Sequence, residues 1–178
     1  MKPVTYFSYL LLAVLTACSN NAAPVSVQLP GALNIASIAV AGSTSGDFWS
    51  PANQTPLTLS CNDAPLIVKT DPEPDPASPA IDSFTLAEPG GCVNLPSCGW
   101  LVLRVDPGEA SAVSVATRTS PITVEGVTAP GSHVFDLELH DASDSALRAP
   151  NGTLLWDEVT VEFLEQASCL TSGPVDAG

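Results

Sequence analysis

The sequence predicts an all-β protein, an antiparallel β-sandwich of about seven to nine strands. From Pro56 onward, short apolar segments alternate with turn residues at the spacing of such sandwiches. The composition agrees, because 17 prolines and a charged fraction of 13% disfavour long amphipathic helices. The only weak helical pattern, at 109–116, contains valines that alternate as in a strand.

The first 17 residues have the order of an export signal. Lys2 is followed by an apolar run from Tyr6 to Val14, and then by small residues before Cys18. This run is shorter than the roughly 20 residues that a membrane-spanning helix needs. We therefore expect a signal peptide at 1–17 and no permanent transmembrane helix.

The end of this signal, Leu15-Thr16-Ala17-Cys18, resembles the lipobox of bacterial lipoproteins. The resemblance implies that Cys18 becomes the mature N-terminus and carries a thioether-linked diacylglycerol and an acylated amine, as in palmitate-bearing lipoproteins. It also implies that Ser19 favours transfer to the outer membrane. One acyl chain anchors a protein only marginally, so three chains would hold it stably. The alternative is an ordinary secretory signal that leaves Cys18 as a plain thiol.

The remainder of the chain, about 160 residues, has the size of one domain. We expect a flexible tether at 18–30, a β-sandwich at 31–170 with its core at 55–165, and a disordered tail at 171–178. The segment from Val25 to Val40 has apolar residues whose phases disagree, so it predicts one or two strands without fixing them.

The sandwich strands are predicted from short apolar runs. In order, they are Leu57–Cys61, Leu66–Lys69, Ile81–Ala87, Trp100–Asp106, Ala112–Thr117, Ile122–Val124, Ser132–His140 and Glu158–Leu164.

Two of these strands also indicate their place in a sheet. Trp100–Val105 is apolar on both faces, which is typical of a central or covered strand. Val134–His140 alternates, which predicts one buried face and one wet face. The side chains expected to point inward are Phe135, Leu137 and Leu139. The side chains expected in solvent are Asp136, Glu138 and His140.

Three segments are similar to immunoglobulin-like or fibronectin-like domains of bacterial surface lipoproteins. They are Ile81–Leu86 with the following Pro89–Cys92, Cys98–Asp106, and Gly131–His133 running into Leu137–Leu139, with a closing strand at Asp157–Phe163. In related domains the middle strand often reads Gly-His-x-His. Trp100 and Val102 stand at those histidine positions here, so a metal role of such relatives is not implied for this chain.

Four cysteines remain once Cys18 is set aside, and an even number in an exported chain predicts two disulfides. Three pairings are open. We favour Cys92–Cys98, because nearby glycines and Pro96 permit a tight turn, and Cys61–Cys169 by elimination. A zinc site is the alternative use of these thiols, but the sequence has no CxxC spacing.

The chain has few candidates for chemistry. His133 and His140 are its only histidines, and seven positions along one strand place them on opposite faces. We expect one near the strand start and one exposed at its end. Asp71, Glu73 and Asp75 are weak calcium candidates, because the alternating prolines favour an extended acidic loop over a converging one.

No catalytic residue is predicted. The sequence has no Gly-x-Ser-x-Gly elbow, and Asp141 and Asp144 lie among turn residues that favour local hydrogen bonds. A net charge of −14 argues against nucleic acid as a partner. No cofactor is expected.

These observations lead to two functional hypotheses. The first is a lipid-anchored, non-enzymatic protein of the bacterial cell envelope, in the outer membrane, that acts as an interaction or structural module toward another envelope protein or a glycan. The second is a periplasmic or surface lipoprotein that binds a small ligand, a glycan or calcium.

Overall fold

A computed structural model describes residues 29–43, 47–59, 64–75, 77, 79–81, 84–93, 95, 97–149 and 151–166. These residues form eleven β-strands and no helix, which confirms the predicted all-β class. In the same residues nothing has the length and apolarity of a bilayer-crossing helix. The strands are β1 (Asn34–Val40), β2 (Phe48–Trp49), β3 (Leu57–Thr58), β4 (Leu66–Asp71), β5 (Ala80–Ile81), β6 (Phe84–Leu86), β7 (Cys98–Val105), β8 (Val113–Thr117), β9 (Ile122–Val124), β10 (Gly131–Asp141) and β11 (Trp156–Leu164).

The strands are arranged in two sheets. The smaller sheet has the order β2-β1-β4-β9, and the larger has the order β3-β11-β10-β7-β6-β5. β8 also belongs to the larger sheet and pairs with β7 along Leu101–Val105. Since β10 occupies the opposite edge of β7, β6 and β8 lie end to end along one edge. All pairs are antiparallel except β3 with β11 and β6 with β7.

One hydrophobic core lies between the two sheets. Ile35, Ile38 and Val68 reach it from the smaller sheet, while Phe135 and Leu137 reach it from the larger, and each of these residues is fully buried. The alternation predicted for β10 therefore has the correct phase. Burial of this kind is the main favourable contribution to folding, and here it joins both layers into a sandwich.

β1 explains the spacing of the apolar residues Ile35 and Ile38, which does not follow strand alternation. Its pairing with β4 shifts register between Ile35 and Ser37, so the strand contains a bulge. A bulge inserts one extra residue and reverses the side-chain alternation beyond it. As a result, Ile35 and Ile38 both face the core although three positions separate them.

Several predicted boundaries differ from the structure. The single strand predicted over Ile81–Ala87 is wrong, because Ile81 pairs with Phe84 and the chain reverses between them into β5 and β6. The strand predicted over Leu57–Cys61 is assigned only at Leu57–Thr58, and Cys61 lies outside the described residues. β7 begins at Cys98, two residues earlier than predicted.

Some predictions lie outside the described residues altogether. These are the signal peptide at 1–17, the lipidated Cys18, the tether up to residue 28, the Cys61–Cys169 bond and the tail at 171–178.

Candidate functional site

The outer face of β7 is covered by the chain segment that follows β6. Trp100 and Val102 point away from the core but are each only 5% exposed. They pack with Cys92, Cys98 and the partly buried Ala87 in a second, smaller apolar cluster. β7 is thus buried on both faces, as its apolar sequence predicts.

A disulfide closes this covering segment. The Sγ atoms of Cys92 and Cys98 are 2.18 Å apart and their Cα atoms 5.5 Å apart, which is the pairing favoured from the sequence. Backbone hydrogen bonds fix the C-terminal end of this loop to β6, since Thr85 N donates to Ser97 O at 2.9 Å and Ala87 N donates to Gly99 O at 2.8 Å. The Cys92–Cys98 loop is therefore closed by a disulfide and bonded to the sheet at its C-terminal end.

The same loop presents apolar side chains to solvent. Val93 is 72% exposed and Leu95 is 51% exposed. Trp156 in β11 lies opposite Glu138 in β10 and is 44% exposed on the same outer face of the larger sheet. Single exposed apolar residues are common on protein surfaces. Two exposed apolar side chains on one short, disulfide-closed loop form a local apolar projection.

Gly99 permits the close approach of β7 to its neighbours. A Cβ atom at this position would overlap the carbonyl oxygen of His140 and the ring of Phe84. The glycine is therefore required by packing in the strand, whereas the sequence suggested only that it permits a tight turn.

Beside the covered tryptophan, the outer face carries a chain of ion pairs. Arg104 Nη1 donates to Glu138 Oε2 at 2.5 Å and lies 3.8 Å from Asp136 Oδ2. His140 Nε2 lies 2.7 Å from the same Glu138 oxygen, and His140 Nδ1 lies 2.9 Å from Asp144 Oδ1. This network is the only feature in which β7, β10 and the turn after β10 exchange charged side-chain contacts among the described residues.

The position of His140 contradicts the sequence prediction. It points to the outer face as expected, yet it is only 5% exposed instead of lying in solvent. It sits opposite Trp100 in the register of β7 and β10. After the turn that begins at Asp141, the Asp144 carboxylate contacts Nδ1 of His140, and Ala146 forms a backbone bridge with His140. Long-range packing, which strand alternation does not report, buries this residue.

Both ring nitrogens of His140 face carboxylate oxygens. Glu138 and Asp144 therefore occupy both ring nitrogens, and neither nitrogen is free to bind a metal ion in this arrangement.

The carboxyl groups of the network differ in their electrostatics. Burial raises the pKa of Glu138, but hydrogen bonds from His140 and Arg104 outweigh burial and hold that pKa below its usual range. Burial and the nearby Glu138 charge raise the pKa of Asp136, with Arg104 offsetting them only in part. The Oδ1 atom of Asp136 is buried and has no hydrogen-bond partner among the residues that the structure describes. The network therefore favours the charged form of Glu138 and disfavours the charged form of Asp136.

His133 has a structural role near the start of β10, at the end of the strand opposite His140. Its Nδ1 lies 2.6 Å from Asp106 Oδ2, its Nε2 lies 2.9 Å from the Ala129 carbonyl oxygen, and its ring contacts Phe163 edge-on. Asp106 Oδ1 also accepts a hydrogen bond from Val134 N. This histidine thus fastens the turn after β7 to β10.

The calcium candidates do not converge. Asp71, Glu73 and Asp75 are all exposed, and Asp75 Oδ1 accepts a hydrogen bond from Ala77 N. Within the described ranges, no group of three histidine, cysteine, aspartate or glutamate residues could hold a metal ion. Asp141 is used locally, since the hydroxyl of Ser143 and backbone N–H groups hold its pKa below the usual value.

An acidic groove lies next to the ion-pair network. It has a volume of about 510 Å³ and is lined by Asp106, Pro107, Glu109, Ser132, Val134 and Glu158. Because His133 and Val134 N engage Asp106, the carboxylates that would favour a cationic ligand are Glu109 and Glu158. Sequence reasoning did not find this groove or the projection of Val93 and Leu95, because both depend on which loops cover the sheet.

No protein-family model, no curated protein sequence and no solved structure matches this chain.

Proposed function

We propose that the protein is a lipid-anchored, non-enzymatic module of the bacterial cell envelope that binds another envelope protein through the outer face of its larger sheet. The observation that carries this proposal is the Cys92–Cys98 loop, which holds Val93 and Leu95 in solvent beside a charged network. A flexible loop could turn such side chains inward, whereas a loop closed by a disulfide cannot do so freely.

The chemistry of this face favours a protein partner. Interfaces between proteins combine apolar anchors in their centre with polar groups around them. Here the apolar anchors are Val93, Leu95 and Trp156, and the surrounding charges are mainly carboxylates, with Arg104 bonded to two of them. We expect the partner surface to have an apolar patch with a basic rim.

The anchor and the compartment belong to the same proposal. The segment Leu15-Thr16-Ala17-Cys18 resembles a lipobox, and disulfides persist in oxidising compartments such as the bacterial periplasm and cell surface. The bond between Cys92 and Cys98 agrees with that address. Placement in the outer membrane rests on Ser19.

We also propose kinship with immunoglobulin-like or fibronectin-like sandwiches. The support is topological, because β1, β4 and β9 share one sheet while β7, β10 and β11 share the other. The chain therefore crosses repeatedly between layers, after β2, β3, β4, β8 and β9, as Greek-key sandwiches of this class do.

Recovery of a partner from the solubilised envelope tests the proposal. The wild-type protein would be isolated in detergent beside a V93S/L95S variant and an F48S control, since Phe48 is 42% exposed in the edge strand of the smaller sheet. We expect one protein at near-equal amounts with the wild type and the control, and its loss with V93S/L95S. Equal recovery with all three, or no recovered protein, would contradict the proposal.

The alternative is a binding lipoprotein for a small ligand, a glycan or calcium. The acidic groove with Glu109 and Glu158 is the observation that favours it. Calorimetric titration with calcium and with cell-wall glycans distinguishes the two. Saturable binding that an E109Q/E158Q variant loses would support the alternative, and heats equal to those of dilution would exclude these ligands.

A further inference from the structure

β8 is an edge strand with one open side. It pairs with β7 from Val105↔Val113 to Leu101↔Thr117, and no described strand pairs with its other edge. Val113, Val115 and Thr117 are half-buried against the core side, whereas Ser114 and Ala116 are exposed. An open edge presents unpaired N–H and C=O groups that can accept another strand.

The other described edges of the sandwich are short or blocked. β2, β3 and β5 have two residues each, and β9 has three. Along β11, the Asp157 carboxylate accepts a hydrogen bond at 2.7 Å from Ile35 N in the bulge of β1. Such devices protect natural sheets from edge-to-edge pairing. Among the described strands at a sheet edge, β8 has the longest run without one.

The sequence of this edge is unusual for the chain. Residues 110–117, Ala-Ser-Ala-Val-Ser-Val-Ala-Thr, contain no charge and no proline in a protein whose net charge is −14. Edge strands are normally protected by charged side chains or proline. A pairing partner is therefore the better explanation for an uncharged edge.

We propose that β8 pairs antiparallel with β8 of a second copy, about a two-fold axis at Val115. In this register Val113 lies opposite Thr117 and Ser114 lies opposite Ala116. The two half-buried faces continue each other, and the exposed face carries only small side chains. The interface is isologous, as a two-fold dimer requires, and it joins two seven-stranded sheets into one.

The choice of a second copy follows from charge. A foreign strand of opposite charge would be recognised by charged side chains, and the edge from 110 to 117 has none. The nearest cation, Arg118, is bonded to Glu88 of its own chain. Two acidic chains still repel at longer range, so dimerisation should strengthen as salt screens them.

The test is a charge exchange across the proposed axis. Ser114 and Ala116 are exposed, so changes there should leave the fold intact, which circular dichroism checks. In S114E/A116E, glutamate faces glutamate twice, whereas in S114K/A116E lysine faces glutamate twice. The association constant of the full-length protein in detergent would be measured by light scattering that subtracts detergent mass, at about 50 and 500 mM salt.

We expect a wild-type dimer that strengthens with salt. S114E/A116E should associate at least roughly tenfold more weakly than S114K/A116E, because like charges directly opposite destabilise strand pairs and opposite charges stabilise them. A wild-type protein that stays monomeric at both salt concentrations would overturn the proposal. So would equal association of the two variants, or occupation of β8 by a different polypeptide.

Discussion

Removal of the Cys92–Cys98 bond should destabilise the fold by about 2 kcal/mol. The two cysteines are six residues apart, and for a closed loop of about that length the chain-entropy relation gives about 2 kcal/mol at 25 °C. The C92A/C98A variant removes the bond without leaving a free thiol of the pair. The expected loss corresponds to a fall of about 1 M in the urea midpoint, for a slope of about 2 kcal/mol/M.

The same variant should expose the aromatic ring that the loop covers. Trp100 is 5% exposed beneath the loop, while Trp49 is 4% exposed in the core and should not respond. We expect the emission of the folded variant to shift to longer wavelength and to become more accessible to acrylamide. Urea unfolding and quenching would be measured in parallel on V93A, a loop change that keeps the bond and should cost less than about 0.5 kcal/mol.

Two results would refute this reasoning. If C92A/C98A unfolded within about 0.5 kcal/mol of the wild type, the bond would not restrict the unfolded chain as the entropy relation assumes. If its stability fell while quenching of Trp100 stayed unchanged, the loop would remain seated without the bond. The disulfide would then not be what holds Val93 and Leu95 outward.

Three further outcomes follow from the outer face. E138Q should lower the free energy of unfolding by about 2 kcal/mol at neutral pH, because it removes the charged acceptor of His140 and Arg104. If the urea midpoint of E138Q equals that of the wild type, the network does not stabilise the fold. Because the pKa of Glu138 is lowered in the folded protein, its contribution to stability is complete above about pH 4.5 and is lost as pH falls through the folded pKa. Acid titration should therefore lower the free energy of unfolding of the wild type more than that of E138Q. Equal losses in the two proteins would refute this. G99A should cost more than about 2 kcal/mol because the new methyl group overlaps the strand backbone, whereas G31A, which meets no atom, should be nearly neutral in thermal unfolding.

The part of the fold that local pattern controls could be predicted from the sequence. In β10, Phe135 and Leu137 alternate with charged residues, and alternation of side chains along a strand is a property of the backbone itself. β7 is predicted to be a central or covered strand because Trp100–Val105 is apolar on both faces, and its burial on both faces agrees. Each of these inferences needs only neighbouring residues.

The rest depends on contacts between distant segments. The bulge in β1 buries both Ile35 and Ile38, and the reason lies in the register with β4. His140 was expected in solvent because its position in β10 alternates outward, yet Trp100 and Asp144 enclose it. The site on the outer face has the same origin, since the loop that covers β7 decides which side chains are exposed. Local periodicity contains none of this information.

The mass of the intact protein, purified in detergent from its native envelope, tests the proposed membrane-anchored module most directly. We predict a chain that begins at Cys18 and carries a diacylglycerol and a third acyl chain. A chain that still contains residues 1–17, or one that begins with an unmodified Cys18 thiol, would contradict the anchor.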